Sequence, residues 1–288
     1  MQKDQLFTRR RMLLAGAAAL GAAGTAGLIV AGSDEEGARI AAHAPAPAPA
    51  PAPAPGPQAR QAPLKSSAFR LQPLTGGAPP HSAPRKLKVR TEPIFRIPEH
   101  GRQMMLTFDD GPNPDYTPHI LDTLAKHDVR AMFFLCGECV EVNPHLVARM
   151  AEDGHVVGNH TWTHPLLTTL DRSEIKSEME RTSHIIEKFY GDLPQWFRAP
   201  YGAWNKATFQ LGAEMGMEPM AWTIDTTDWD TPGTDVIIDR VESGAAPGVV
   251  ILSHDAGGDR SQTVEAIQEW LPYLLDSGYH LTVPNRRV

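Results

Sequence analysis

Apolar residues follow two different spacings between Gln103 and the end of the chain. Short apolar runs such as "QMMLTF" and "GVVILSH" alternate with longer segments in which apolar residues recur every three or four positions. The short runs predict buried strands, and the longer segments predict amphipathic helices. Strand and helix alternate about six or seven times without a run of hairpin turns, so the pattern predicts an α/β fold with a parallel sheet and crossover helices.

The limits of these elements follow from the same pattern and from proline and glycine positions. Strands are predicted at residues 103–108, 130–135, 155–160, 195–200, 218–224, 248–254 and 280–283. Helices are predicted at residues 117–128, 143–154, 173–191, 205–216, 234–244 and 261–278. The "HTWTH" segment after the third strand is expected to form a helical turn.

The first hundred residues lack this periodicity and divide into two segments. Residues 1–43 contain "TRRRMLLAGAAALGAAGTAGLIVAG", which resembles a twin-arginine export signal and is expected to place the mature protein in the extracellular space or cell envelope. If it is not cleaved, its apolar stretch of about 20 residues is a candidate membrane anchor. Residues 44–92 are rich in proline and alanine and predict a disordered linker, which leaves 93–288 as the globular domain.

The charge of the chain is divided between its two parts. Residues 1–101 carry 13 basic and 6 acidic side chains, a net charge of +7, whereas residues 102–288 carry 14 and 28, a net charge of -14. Nucleic-acid binding needs clustered Lys and Arg, so the globular part is not expected to bind nucleic acid. The basic arm is a candidate for association with anionic lipid or a wall polymer, or a plain spacer.

Cys136 and Cys139 are the only cysteines, in the segment "CGEC". Two cysteines cannot stabilise a domain of this size, so its stability is expected to come from packing. The pair follows an apolar run and has no second cysteine pair, which favours two free thiols over a disulfide.

Polar residues of reactive types follow nearly every predicted strand: "DD", "CGE", "HTWTH", "YGAW", "DTTDW" and "HDAGG". The carboxyl ends of parallel strands meet at one edge of the sheet, where functional groups collect. This repeated position predicts one site at that edge.

Four residues in these segments form a candidate metal centre. His160 and His164 are four residues apart, and two histidines with one carboxylate leave an open position for water. Asp109 and Asp110 cannot both ionise cheaply unless a cation lies beside one of them. Asp110 is therefore the candidate third ligand, and Asp109 the candidate base. Taken separately, the histidines also suit an exposed surface, and "DDGP" suits an ordinary turn.

Two further residues are candidates for catalysis. A buried Arg198 needs a carboxylate partner, and Asp109 is available to be oriented by it. His254 follows a wholly apolar run, and paired with an aspartate it could stay protonated and act as a general acid. Taken separately, these residues also suit a surface arginine and a core histidine.

Five segments, "TFDDGP", "HTWTH", "RAPYG", "DTTDW" and "LSH", together resemble the polysaccharide deacetylase family (NodB-like, carbohydrate esterase family 4). The resemblance runs from about Gln103 to Val283. It implies a distorted, incomplete (β/α) barrel and a hydrolase that removes N-acetyl groups from GlcNAc-containing polysaccharide such as peptidoglycan or chitin.

The resemblance also implies roles for ten residues. Asp109 is expected to be the base and Arg198 the residue that orients it. Asp110, His160 and His164 are expected to bind the metal. His254 is expected to be the acid, with Asp228 as its partner and Asp225 as a less favoured choice. The Tyr201 backbone N–H is expected to donate to the oxyanion. Trp229 and Leu252 are expected to form the wall of the acetate pocket.

Several alternatives stay open at the level of sequence. Two His and one Asp suit Zn²⁺, and Co²⁺ or Ni²⁺ would also bind them. An O-acetyl esterase acting on acetylated xylan would use the same site. A non-catalytic glycan-binding wall protein would be expected to carry a broken motif, and none is broken here. The protein is expected to be a monomer with an N-acetylated polysaccharide or oligosaccharide as its substrate.

Overall fold

The computed structural model describes residues 87–284. The predicted export segment 1–43 and most of the predicted linker 44–92 lie outside these residues, so the domain limits stay predictions. None of the helices between residues 87 and 284 is long and apolar enough to cross a membrane.

One parallel sheet organises the described part of the chain. Its order is β5-β4-β3-β2-β1-β7-β6, and β8 pairs with β1. The strands are β1 (Gln103–Asp109), β2 (Met132–Leu135), β3 (Val156–Asn159), β4 (Trp196–Phe197), β5 (Glu218–Pro219), β6 (Ile224–Asp225), β7 (Val250–His254) and β8 (His280–Leu281). The prediction of a parallel α/β sheet is confirmed.

Between residues 87 and 284, seven α-helices accompany the strands. They are α1 (Thr117–Lys126), α2 (Gly137–Val142), α3 (Pro144–Glu152), α4 (Arg172–Tyr190), α5 (Lys206–Glu214), α6 (Thr234–Gly244) and α7 (Ser261–Asp276). The short helix α2 was not expected. Helix α4 begins with a capping box: Asp171 Oδ1 accepts from the Glu174 N–H, and Glu174 Oε2 accepts from the Asp171 N–H.

One prediction about the sheet is wrong. Residues 218–224 were expected to form a single strand, but they form β5 and β6, which lie at opposite ends of the strand order. The chain leaves β5 after Pro219 and crosses to the other side before Ile224. An apolar run cannot reveal such a crossing. Residues that connect the two edge strands of the incomplete barrel are buried like the residues of a strand.

The two faces of β1 explain how the sheet leads to the site. Leu106 and Phe108 belong to the large apolar cluster that includes the helices. Met105 belongs to a second cluster on the other face. Because side chains alternate along a strand, Thr107 and Asp109 share the face of Met105. This inner face is therefore apolar at Met105 and polar at its carboxyl end.

Candidate active site

The two adjacent aspartates of "TFDDGP" lie at the carboxyl end of β1. Asp109 is the last residue of the strand, and Asp110 follows it in a left-handed conformation with a φ of 77°. Their carboxylates both approach one imidazole. Asp109 Oδ2 lies 3.6 Å from His160 Nε2, and Asp110 Oδ1 lies 3.4 Å from the same nitrogen.

The two histidines lie on a loop after β3, so the prediction of a helical turn is wrong. Thr161 and His164 adopt positive φ values of 69° and 57°. Side chains bind the N–H groups of this loop in place of helical carbonyls. Asn159 Oδ1 accepts from the N–H of Thr161, and Glu178 of α4 accepts from the next two N–H groups. The imidazoles still meet, with ring centroids 4.9 Å apart.

Asp110, His160 and His164 can together hold a metal ion. Their ligand atoms lie within 4.8 Å of one another. Asp110 Oδ1 is 3.4 Å from His160 Nε2 and 3.3 Å from His164 Nε2. Ligands at the usual metal distance in a tetrahedral site are about 3.4 Å apart, which agrees with both values.

Two further observations support a metal at this position. Asp110 Oδ1 is buried, and it has no hydrogen-bond partner among residues 87–284. His160 Nδ1 lies 2.9 Å from the Arg198 carbonyl oxygen, which can only accept, so Nδ1 carries the proton. Nε2 of His160 is then the nitrogen that is free to bind a cation. The residues present therefore suit the metal that the sequence predicts.

The ionisation of these ligands agrees with cation binding. Burial raises the pKa of Asp110, but the adjacent His160 imidazole, with smaller contributions from His254 and His164, outweighs it and lowers the pKa to about 2. Burial lowers the pKa of His164. Asp110 is thus anionic and His164 is neutral near pH 7, which are the forms that bind metals.

Arg198 is a fully buried guanidinium beside Asp109. Its Nη1 donates to Asp109 Oδ1 at 2.6 Å and to Thr107 Oγ1 at 2.9 Å. Its Nε and Nη2 donate to the carbonyls of Met220 and Ala221. Burial lowers the pKa of Arg198, and Asp109 opposes this shift. The arginine therefore holds one carboxylate oxygen of Asp109 and leaves Oδ2 directed toward the histidines.

His254 and Asp228 form a second buried pair. His254 Nδ1 lies 2.6 Å from Asp228 Oδ1, and the His254 N–H donates to Asp228 Oδ2 at 2.8 Å. Thr263 Oγ1 of α7 also donates to Oδ2. Burial lowers the pKa of His254, but the hydrogen bond and charge of Asp228 outweigh it and raise the pKa to about 9. His254 is therefore protonated near pH 7.

The remaining predicted residues surround this centre. Asp225 Oδ1 accepts from the N–H of Thr227, whereas Asp228 is hydrogen-bonded to His254, so geometry favours Asp228 as the histidine's partner. Tyr201 lies against His164 with ring centroids 4.6 Å apart and has a φ of 61°. Within residues 87–284 the Tyr201 N–H has no acceptor. Trp229 is exposed in a short 3-10 turn after Thr227, whereas Leu252 is buried on β7.

The globular part of the chain is similar in sequence to known deacetylases. A family model described as polysaccharide deacetylase matches residues 96–220. A chitooligosaccharide deacetylase of Rhizobium leguminosarum bv. trifolii is 38% identical over 208 residues, which are 68% of this chain and 97% of that protein. This chain belongs to the polysaccharide deacetylase family.

Solved structures of polysaccharide deacetylases have the same fold. The Bc1960 peptidoglycan N-acetylglucosamine deacetylase, bound to an N-oxidanyl-benzamide, is 36% identical with a TM-score of 0.64, covering 66% of this chain and 89% of that one. Wild-type BA3943 of Bacillus anthracis, described as a carbohydrate esterase family 4 pseudoenzyme, is 32% identical with a TM-score of 0.63, covering 68% and 67%. The predicted incomplete (β/α) barrel is confirmed.

One buried residue beside this site was missed by the sequence analysis. Asp255 directly follows His254, is fully buried, and accepts a 2.5 Å hydrogen bond from Thr117 Oγ1. Burial raises its pKa to about 7. A β-carbon on Gly111 would overlap its carboxylate, so Asp255 packs against the loop that carries Asp110. The strand-end rule that selected His254 also includes Asp255, which stands in the quoted "HDAGG".

The two cysteines of this family member are free thiols, as predicted. Cys136 is buried and Cys139 is partly buried, and no disulfide joins them. Burial raises the pKa of Cys139 to about 11 and raises that of Cys136 as well. Both side chains are therefore neutral thiols at ordinary pH and are poor metal ligands.

Proposed function

We propose that this protein is a metal-dependent hydrolase that removes N-acetyl groups from GlcNAc-containing polysaccharide of the peptidoglycan or chitin type. The observation that carries the proposal is the position of Asp110 Oδ1. This buried, unpartnered oxygen lies 3.3–3.4 Å from the Nε2 atoms of His160 and His164, and the Asp109–Arg198 pair adjoins it.

Asp110, His160 and His164 would hold one divalent ion, which we propose is Zn²⁺. Imidazole nitrogen and carboxylate oxygen in a three-ligand set suit zinc, although Co²⁺ and Ni²⁺ bind the same donors. When bound there, the ion supplies Lewis-acid polarisation and a more acidic water.

Asp109 is the general base. Arg198 and Thr107 fix the carboxylate from one side, and Oδ2 lies 3.6 Å from His160 Nε2, at the edge of the ligand set. Oδ2 accepts a proton from the attacking water as the oxygen adds to the acetyl carbonyl. Because Arg198 holds only Oδ1, the base is oriented without losing its free oxygen.

His254 is the general acid. Asp228 binds Nδ1, which leaves Nε2 as the nitrogen that transfers a proton. A pKa of about 9 keeps the imidazole protonated near pH 7. His254 donates this proton to the sugar nitrogen as the C–N bond breaks, and acetate and a free amine are released.

Backbone and apolar groups complete the acetyl pocket. The Tyr201 N–H, which lacks an acceptor among the described residues, donates to the oxyanion. Leu252 and Trp229 form walls around the methyl group. Leu252 precedes His254 by two residues on β7, so both side chains lie on the same face of the strand.

The choice of an N-acetylated glycan rests on the relatives. The Rhizobium relative is a chitooligosaccharide deacetylase, and the structural relative is a peptidoglycan N-acetylglucosamine deacetylase. Export from the cytoplasm is part of the proposal and rests on Arg9, Arg10 and the apolar stretch after them. That location would bring the enzyme to a wall polymer.

Acetate release from three substrates tests this function. Metal-analysed protein is incubated in parallel with N-acetylated chitooligosaccharide, peptidoglycan and acetylxylan, and acetate and new amine are measured. We expect equal amounts of acetate and amine from at least one of the first two. Acetate from acetylxylan alone would favour the O-acetyl esterase. No acetate from any substrate would favour the non-catalytic glycan-binding protein, a serious alternative because one structural relative is a pseudoenzyme.

A further inference from the structure

Residues 87–97, called here the N-terminal strap, lie against both sides of the barrel seam. Ile94 pairs with the segment that leaves β5: its N–H donates to the Pro219 carbonyl at 2.9 Å, and its carbonyl accepts from the Ala221 N–H at 2.8 Å. Ile94 also packs against the inner apolar cluster. The strap thus binds the chain where it crosses between the sheet edges.

The other end of the strap binds the start of β7. The Ile97 N–H donates to the Gly248 carbonyl at 3.0 Å, and Arg96 bridges to Val249. Arg96 Nη2 also donates to the Pro247 carbonyl at 2.6 Å. Residues 94–97 of the strap are therefore bonded both to the chain next to β5 and to the chain next to β7.

The segment held by Ile94 is the one that anchors Arg198. The Met220 carbonyl accepts from Arg198 Nε at 3.1 Å, and the Ala221 carbonyl accepts from Nη2 at 3.0 Å. Two neighbouring strands also bind this segment: the Met220 N–H donates to the Phe197 carbonyl, and the Thr223 N–H donates to the Val250 carbonyl. The Ile94 carbonyl is the acceptor for the Ala221 N–H, so the strap helps to hold the Ala221 carbonyl that binds Arg198.

We propose that Ile94 is a positioning residue for catalysis, acting through Arg198 on Asp109. This inference rests on the proposed function, because it takes Asp109 as the base. A planar guanidinium can donate to several acceptors at once only when each acceptor keeps its position. A displacement of the Ala221 carbonyl would therefore turn the guanidinium and shift the Asp109 carboxylate to which Nη1 donates.

Ile94→Pro tests the proposal in the full-length protein, because proline lacks the N–H that binds Pro219. Ile94→Val keeps that N–H, and Phe95→Ala changes the exposed neighbouring side chain. The kcat per bound metal on N-acetylated chitooligosaccharide should fall by about 10- to 100-fold in Ile94→Pro alone, with KM and zinc affinity nearly unchanged. Hydrogen exchange of the Arg198 Nε–H, followed by NMR in ¹⁵N-arginine-labelled protein, should become faster.

A double-mutant comparison separates positioning from loss of stability. In an Arg198→Lys background, Ile94→Pro should cause little further loss of kcat, because the route through Arg198 is already broken. Equal losses in both backgrounds, or an unchanged kcat per bound metal, would overturn the proposal. Failure of the proposed function is distinguished by the wild-type protein itself, which would then release no acetate, while the Arg198 exchange rate would still report on the strap.

Discussion

Asp109 and His254 are paired residues on the neighbouring parallel strands β1 and β7, and each is the last residue of its strand. Adjacent strands lie about 4.8 Å apart, so the sheet itself sets the separation of the two backbones. Each side chain has a different buried partner, Arg198 for Asp109 and Asp228 for His254. The proposed base and acid therefore lie at one sheet edge, and each is fixed by a different buried partner.

The Asp228–His254 pair predicts the alkaline limit of activity. The acid must be protonated, and the pKa of His254 is raised to about 9, so kcat/KM should fall as pH rises through about 9. Asp228→Asn removes the charge that raises this pKa, and the alkaline limb should move to lower pH. The pH profiles of both proteins check this, and an unmoved limb in the variant would assign the acid elsewhere.

The same pair predicts a pH-dependent stability. Because the folded-state pKa of His254 lies above its ordinary value of 6.5, its contribution to stability is fully present below about pH 6.5 and is lost as pH rises through about 9. Urea unfolding of wild type and of Asp228→Asn across this range should show a smaller pH dependence in the variant. Equal slopes in both proteins would contradict this coupling.

Removing one partner of the Arg198–Asp109 pair should be costly, because the remaining side chain would be a buried and uncompensated charge. Arg198→Met leaves the Asp109 carboxylate without its partner and is expected to cost about 3–5 kcal/mol in the free energy of unfolding. Arg149→Met is the control, since its pairs with Asp122 and Asp153 are partly exposed and should contribute less than about 1 kcal/mol. Equal losses in urea unfolding would contradict the buried-pair assignment.

Gly257 limits the space beside the metal ligands. It has a φ of 76°, and a β-carbon there would overlap Asp110 Oδ2. Gly278 has a φ of 80° with nothing near its β-carbon position, so Gly278→Ala carries the same backbone strain of about 1–2 kcal/mol without the overlap. Gly257→Ala alone should weaken zinc binding, measured by competition with a chelator. Equal zinc affinities would show that Asp110 moves freely.

Much of this site could be predicted from residue order alone. The rule that reactive residues follow buried strands located Asp109, His160 and His254. It works because the carboxyl ends of parallel strands meet at one edge of the sheet. It could not give the conformation of "HTWTH", which depends on Glu178, a residue of α4 far along the chain. An acceptor side chain on another element can hold a loop in place of a helical turn, and the sequence of the loop itself does not indicate this.

The seam of the barrel shows a second limit of sequence reasoning. Met220 and Ala221 are buried like strand residues, yet they cross between β5 and β6. Their carbonyls accept from Arg198 because the chain crosses between the sheet edges at this point. Hydrophobic periodicity does not reveal the position of such a crossing. Asp255 is a different case, since its place after a predicted strand already marked it.

Metal content and acetate release, measured together on wild type, Asp109→Asn and Asp110→Ala, test the central claim most directly. Asp109→Asn should keep its metal and lose about 10²–10⁴-fold in kcat, because only the base is removed. Asp110→Ala should lose metal affinity, because one of three ligands is removed. If both variants kept their metal and near-full acetate release from N-acetylated chitooligosaccharide, the assignment of base and metal ligand would be contradicted.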